Sequence, residues 1–160
     1  MPHLIVIMNL TVKMKTSGIL LIILISCLNL QAYANFDISE EDLLSLNLNV
    51  KNIKHDKGKI LIAIYNKEEE FMKERFADKT VKVDALESLK VEFQLPPGRY
   101  AITIFHDIND NNELNTNFMG IPKEPYGFSN NPKITLGPPN FKQTSFDFSF
   151  PFQDIEIVLK

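Results

Sequence analysis

The stretch Leu89 to His106, LKVEFQLPPGRYAITIFH, decides the fold class, because it alternates apolar and polar side chains on either side of a turn that no helix could contain. Leu89, Val91, Phe93 and Leu95 point one way while Lys90, Glu92 and Gln94 point the other, the period-two pattern of a half-buried strand. Pro96-Pro97-Gly98 closes a tight turn, with proline fixing φ and glycine offering the positive φ that such turns often need. Arg99 to His106 then returns as the next strand.

The same alternation recurs on both sides of this unit. Leu46, Leu48 and Val50 alternate with Asn47, Asn49 and Lys51 in a first strand, and Asp56-Lys57-Gly58 makes a turn. Lys59 to Tyr65 (KILIAIY) is apolar on both faces, which predicts the most buried strand. Glu68 to Ala77 places Phe71, Met72 and Phe76 at helical spacing and predicts a short helical turn. Thr80 to Val83 resumes the β pattern. Gly137-Pro138-Pro139 is a rigid turn leading to two last strands, Thr144 to Phe150 with Phe146, Phe148 and Phe150 inward, and Asp154 to Leu159 with Ile155, Ile157 and Leu159 inward. About seven short strands and almost no helix predict an all-β, antiparallel β-sandwich, with a small closed barrel as the alternative.

The first 34 residues read as a secretory leader rather than as part of this domain. Met14 to Gly18 is a short basic start, Ile19 to Leu28 an apolar run too short to span a bilayer, and Ala32-Tyr33-Ala34 a small-x-small cleavage site. Met14 is then the true start, Asn35 to Asp42 a linker and 43–160 one domain. Leu24-Ile25-Ser26-Cys27 also resembles a lipobox, so acylation of Cys27 and anchoring to the outer membrane compete with cleavage after Ala34. Cleavage leaves 126 residues without cysteine, enough to bury a core without disulfides. Removing Lys13 and Lys15 from the 17 basic residues leaves 15 against 20 acidic ones, a formal net charge of −5. Nucleic acid is thereby an unsuitable partner. The expected location is periplasmic or extracellular, with an envelope or extracellular partner and membrane contact only through a lipidated Cys27.

Phe105 to Asn131, FHDINDNNELNTNFMGIPKEPYGFSNN, carries the chemistry. Asp107, Asn109 and Asn111 fall at positions one, three and five of a calcium-loop spacing, Glu113 at the position that offers its backbone carbonyl, and Asn115 at position nine. Asn112 stands at position six, where the chain must bend sharply, and Asn tolerates the left-handed conformation. Leu114 is the expected apolar peg of the loop. Position twelve is Phe118 rather than a bidentate Glu, so the expected Ca²⁺ affinity is low, with Asp110 or Glu124 available to complete the shell. An asparagine-rich loop held by its own hydrogen bonds is the plain alternative.

Two further readings use neighbouring residues. His106, Asp107 and Glu124 around a catalytic cation would make a metal-dependent hydrolase, but adjacent strand residues point to opposite faces and no nucleophile motif accompanies them, so no catalytic residue is assigned. Tyr126 and Phe128, with Glu124, could present a carbohydrate- or peptide-binding surface. With Phe118 and Met119 they could form an exposed recognition surface, but their expected role is to staple a long loop over the open end of the sandwich.

The run PPGRYAITIFHDINDNNELNTNFMGIPKEPYGFSNN, followed by LGPPNF, resembles the bacterial domain-of-unknown-function family numbered 2141, over about Leu46 to Leu159. The resemblance implies an exported β-sandwich of immunoglobulin-like or transthyretin-like type, and no activity. Asp107, Asn109, Asn111, Gly120, Pro122, Glu124, Gly127 and Phe128 match the family pattern. Asn112 and Asn115 depart from it, standing where the family usually has Gly and Asp, and both changes lower the Ca²⁺ affinity that the resemblance would imply.

Overall fold

A computed structural model describes residues 42–84, 86–135 and 137–160. The leader with Cys27, the Ala32 to Ala34 cleavage site and most of the linker lie outside the described residues. The described strands are β1 (Leu44–Ile53), β2 (Lys59–Tyr65), β3 (Ala77–Lys82), β4 (Glu87–Leu95), β5 (Gly98–Asp107), β6 (Tyr126–Phe128), β7 (Phe146–Phe148) and β8 (Phe152–Val158), with one short helix, α1 (Phe141–Thr144). Three strands form one sheet in the order β4-β1-β8, and β3-β2-β5-β6 form the other, with β7 also paired to β5. All described pairings are antiparallel except β1 with β8, which run parallel. That pair departs from the purely antiparallel expectation, because the chain crosses to β8 from β7, which is paired with β5 outside this sheet, and does not reach it by a hairpin from β1.

The inward residues of both sheets meet in one core. Leu46, Leu48, Val50, Val91, Phe93, Leu95 and Ile157 come from the first sheet, and Ile60, Ile62, Ile64, Tyr100, Ile102, Ile104 and Phe148 from the second. The second sheet is covered on its outer face as well, where Tyr65 and Ala101 pack with Phe71 and Phe141. This two-sided burial is why β2 reads as a continuous apolar run. β2 has no exposed residue, and past the exposed Gly98 and Arg99 β5 is as deeply placed, with Tyr100, Ala101, Ile102, Ile104, His106 and Asp107 removed from solvent.

Several local expectations change for identifiable reasons. The Pro96–Gly98 turn carries the chain from one sheet to the other rather than pairing β4 with β5. Gly98 is not in the left-handed region; a Cβ there would meet the Tyr100 ring at 3.1 Å, and the Tyr100 hydroxyl donates to the Pro96 carbonyl at 2.8 Å. The helical turn expected in Glu68 to Ala77 is limited to bonds such as Glu74 N–H to Glu70 O at 2.9 Å, because Met72 adopts a φ of 59° and stops propagation. The strand expected over Thr144 to Phe150 shrinks to β7. Asn140 and Gln143 form reciprocal side-chain to backbone bonds of 3.0 and 2.9 Å, a capping box that starts α1 just before it. Phe148 is fully buried, but Phe150 is 67% exposed beside Pro151 at the crossing to β8.

The Tyr126–Phe128 segment is a strand on β5 rather than a loop staple. The next residues tie β5 to α1 and, through Asn131, reach the other sheet. Ser129 Oγ accepts from Ile102 N–H at 2.8 Å and donates to Thr144 O, while the Asn131 side chain accepts from Val158 N–H and donates to Glu156 O, both at 2.8 Å, along the free edge of β8.

Gly127 fixes how closely β6 approaches the core. A Cβ built there would lie 2.6 Å from Ile157 Cγ2 and 3.2 Å from the Val158 carbonyl oxygen. Gly127→Ala should therefore cost about 1–3 kcal/mol by overpacking. A thermal melt followed by circular dichroism should show a fall of several degrees, and an unchanged Tm would contradict this packing.

Candidate functional site

Asp107 is the last residue of β5 and lies opposite Lys59 in the register with β2. Strand alternation sends His106 into the core and Asp107 to the outer face. The Asp107 carboxylate is nevertheless fully buried, because the chain folds back over it. Oδ1 accepts the amide N–H of Asn111 at 3.1 Å and Oδ2 that of Asn112 at 2.7 Å. Asp110 and Asn112 supply the bend, with φ of 62° and 65°. The left-handed conformation expected of Asn112 is therefore present, and Asp110 shares it.

The other predicted ligands are distributed along this bend. Asn109 Oδ1 accepts from Asn111 N–H at 3.3 Å, and Asn111 Oδ1 from Glu113 N–H at 2.9 Å, two successive Asx turns. The amide groups of Asn109 and Asn111 both donate to Asn115 Oδ1, at 2.9 and 3.2 Å. Asn109, Asn111 and Asn115 thus converge, with Asp107 joined to them through the Asn111 backbone. Glu113 is exposed and joins only through its backbone. Leu114, the expected peg, is partly exposed rather than seated in the core.

Glu124 closes the loop from the other side. It is buried, Oε1 accepts from Ile108 N–H at 3.0 Å, and Oε2 from Asn115 N–H at 2.9 Å. Two buried carboxylates thus grip the 107–115 segment from its beginning and from beyond its end. Lys59 supplies the nearby positive charge, its Nζ 3.5 Å from Asp107 Oδ2 and 3.4 Å from Asp110 Oδ1. Burial works to raise the Asp107 carboxyl, but the amides of Asn112 and Asn111 and the Lys59 ammonium outweigh it and hold the group below the ordinary carboxylate range.

Gly58 makes this closeness possible. It takes a φ of 75°, and a Cβ there would overlap the Asp107 carbonyl oxygen.

His106 does not join Asp107 and Glu124. Its Nε2 lies 2.7 Å from the Lys57 carbonyl, which can only accept, so Nε2 carries the hydrogen. Nδ1 is buried without a partner among the described residues, and the ring meets His55 edge-on at 6.1 Å. Among the described residues no three His, Cys, Asp or Glu side chains form a metal-holding group.

Tyr126 and Phe128 lie together on the outer face, their ring centroids 5.9 Å apart. Phe128 is buried and Tyr126 half-buried. Both line a groove of about 490 Å³ with Met72, Leu114, Met119 and Ile134.

Sequence reading alone misses Lys59 and the clamping role of Glu124. Lys59 opens an apolar strand, and only the β2–β5 register reveals that it faces Asp107. Glu124 stands in a proline-flanked segment with no spacing to suggest that it bonds two amides upstream.

Because the folded Asp107 carboxyl titrates lower than in the unfolded chain, its contribution to stability is present above about pH 4 and is lost as pH falls through its folded value. Asp107→Asn should lower stability at neutral pH by about 1–3 kcal/mol, since an amide cannot accept both backbone donors equally. It should also flatten the fall of Tm below about pH 4. The exposed Asp110→Asn variant serves as the control, with little change at neutral pH.

Comparison with known proteins places this arrangement in a family. No curated protein and no solved structure matches the chain. Residues 48–155, from within β1 to within β8 and including the whole loop, match the family described as "Uncharacterized protein conserved in bacteria (DUF2141)". The chain therefore belongs to the bacterial DUF2141 family.

Proposed function

We propose that this protein is an exported bacterial β-sandwich acting as a binding or structural module, whose 107–115 loop takes up Ca²⁺ with low affinity. The observation that carries the reading is the bend around the buried Asp107 carboxylate. It draws the Asn109 and Asn111 side chains to within hydrogen-bond distance of the Asn115 side chain, with a second buried carboxylate, Glu124, bonded to the same segment. Hard cations favour such oxygen donors, and carboxylate oxygens that already accept one N–H retain further lone pairs. Asp107, Asn109, Asn111 and Asn115 would hold the ion through side-chain oxygens and Glu113 through its carbonyl, after the Asn amides rotate to present oxygen.

Lys59 sets the expected strength. Its ammonium already serves as a counter-charge to Asp107, so a cation must compete with it. Millimolar Ca²⁺ should raise the Tm of the wild-type chain by a few degrees through selective binding to the folded state. Asp107→Ala should abolish the rise, and Lys59→Gln should enlarge it. Identical melts in Ca²⁺ and in chelator would defeat the reading.

Export rests on the leader pattern of residues 14–34. Mass spectrometry of the protein recovered from the host envelope should find an unmodified amino terminus at Asn35, and an acylated Cys27 terminus would instead make it a lipoprotein. A peptide or carbohydrate module is the second reading, favoured by the groove against Tyr126 and Phe128 but weakened by the burial of Phe128. The hydrolase reading has no such support, because His106 faces away from Asp107 and Glu124.

A further inference from the structure

Between the loop and β6 the chain makes a narrow hairpin. Thr116 bridges to Pro122, and the Lys123 N–H donates to Asn115 O at 2.8 Å. Its tip is apolar, with Phe118 97% exposed and projecting into solvent, and Met119 69% and Ile121 54% exposed along the rim of the Tyr126–Phe128 groove. Soluble surfaces carry scattered apolar residues, but three large ones crowded on one protruding turn mark a contact site.

The backbone of this turn is prepared for loss of water. Asn117 Oδ1 accepts the N–H groups of Met119 at 2.9 Å and Ile121 at 3.0 Å, and Asn117 O accepts that of Gly120 at 3.0 Å. The Asn117 N–H donates in turn to Ile121 O at 2.8 Å. A loop entering an apolar medium must satisfy such groups internally, because each unpaired donor is costly there. Asn117 does so for the N–H groups of Met119, Gly120 and Ile121 from inside the turn.

The footprint distinguishes the possible occupants. Three side chains of this size offer a few hundred Å² at most, whereas a stable protein interface takes about 800 Å² from each partner. A bilayer needs no such area. We propose that the Asn117–Ile121 tip docks on a phospholipid surface, seating Phe118 and Met119 in the interfacial layer between headgroups and acyl chains. This contact is separate from any lipid on Cys27 and independent of a cation in the 107–115 loop, since the bonds that shape the tip are made by Asn117. No side chain from Asn117 to Ile121 carries a charge. Apolar insertion therefore drives the association, and it should persist in high salt and on vesicles without anionic lipid.

The test uses the full chain expressed with its leader and recovered after export, compared with Phe118→Ser. Any leader remaining contributes equally to both. Co-sedimentation with phosphatidylcholine vesicles, and with phosphatidylethanolamine–phosphatidylglycerol vesicles, should show at least about tenfold weaker binding for Phe118→Ser at an unchanged Tm. The chain contains no tryptophan, so Phe118→Trp gives a single reporter whose emission should shift to the blue on adding either vesicle. Equal sedimentation of wild type and Phe118→Ser, an unshifted Phe118→Trp emission, or loss of binding in high salt would overturn the proposal. So would a Phe118-dependent dimer seen by light scattering without vesicles, which would assign the tip to a second copy.

Discussion

A carboxylate with no exposed surface, placed where β5 ends, is the constraint on which the loop end of this molecule depends. Asp107 lies outside the core yet is cut off from water, so every lone pair needs a partner or the charge becomes very costly. The chain meets that demand with two amides from its own next turn and with the ammonium of Lys59, one strand away. These contacts dictate the rest. The turn must pass through left-handed conformations at Asp110 and Asn112, Gly58 must lack a side chain to let β2 begin beside Asp107, and Glu124 must return to hold the amides that Asp107 cannot reach.

The scaffold under this loop was legible in the sequence wherever one face of a strand meets core and the other meets water. LKVEFQL declared its period and KILIAIY its two-sided burial, and β4 and β2 contain them. What could not be read was pairing. Nothing in Leu46 to Val50 or Asp154 to Leu159 says that these strands lie side by side and parallel, because alternation specifies a face but not a neighbour. β6 escaped notice for another reason. Tyr-Gly-Phe is too short to show a period, and its glycine, which reads as a loop residue, is required by the nearness of Ile157.

The loop was partly legible. Oxygen-bearing residues at alternate positions after a strand predicted a turning segment, and the bend at Asn112 follows from that chemistry. The role of Asp107 as hub of amide donors, and the second carboxylate from Glu124, depend on atoms brought together by the fold across 17 residues. Phe118 shows the same limit from the other direction. Its position suggested a missing calcium ligand and a staple over the sandwich end, whereas the hairpin geometry makes it the most outward side chain of an apolar tip.

Asn131 has a consequence beyond its own two hydrogen bonds. An unprotected strand margin is a template on which a second molecule can lengthen the sheet. One carboxamide, offering an acceptor to Val158 and a donor to Glu156, mimics a single peptide unit of a missing neighbour and terminates the ladder at that point. Growth by sheet extension past β8 is blocked there by a side chain, and just beyond the strand Lys160 pairs through its backbone with Tyr126 of β6.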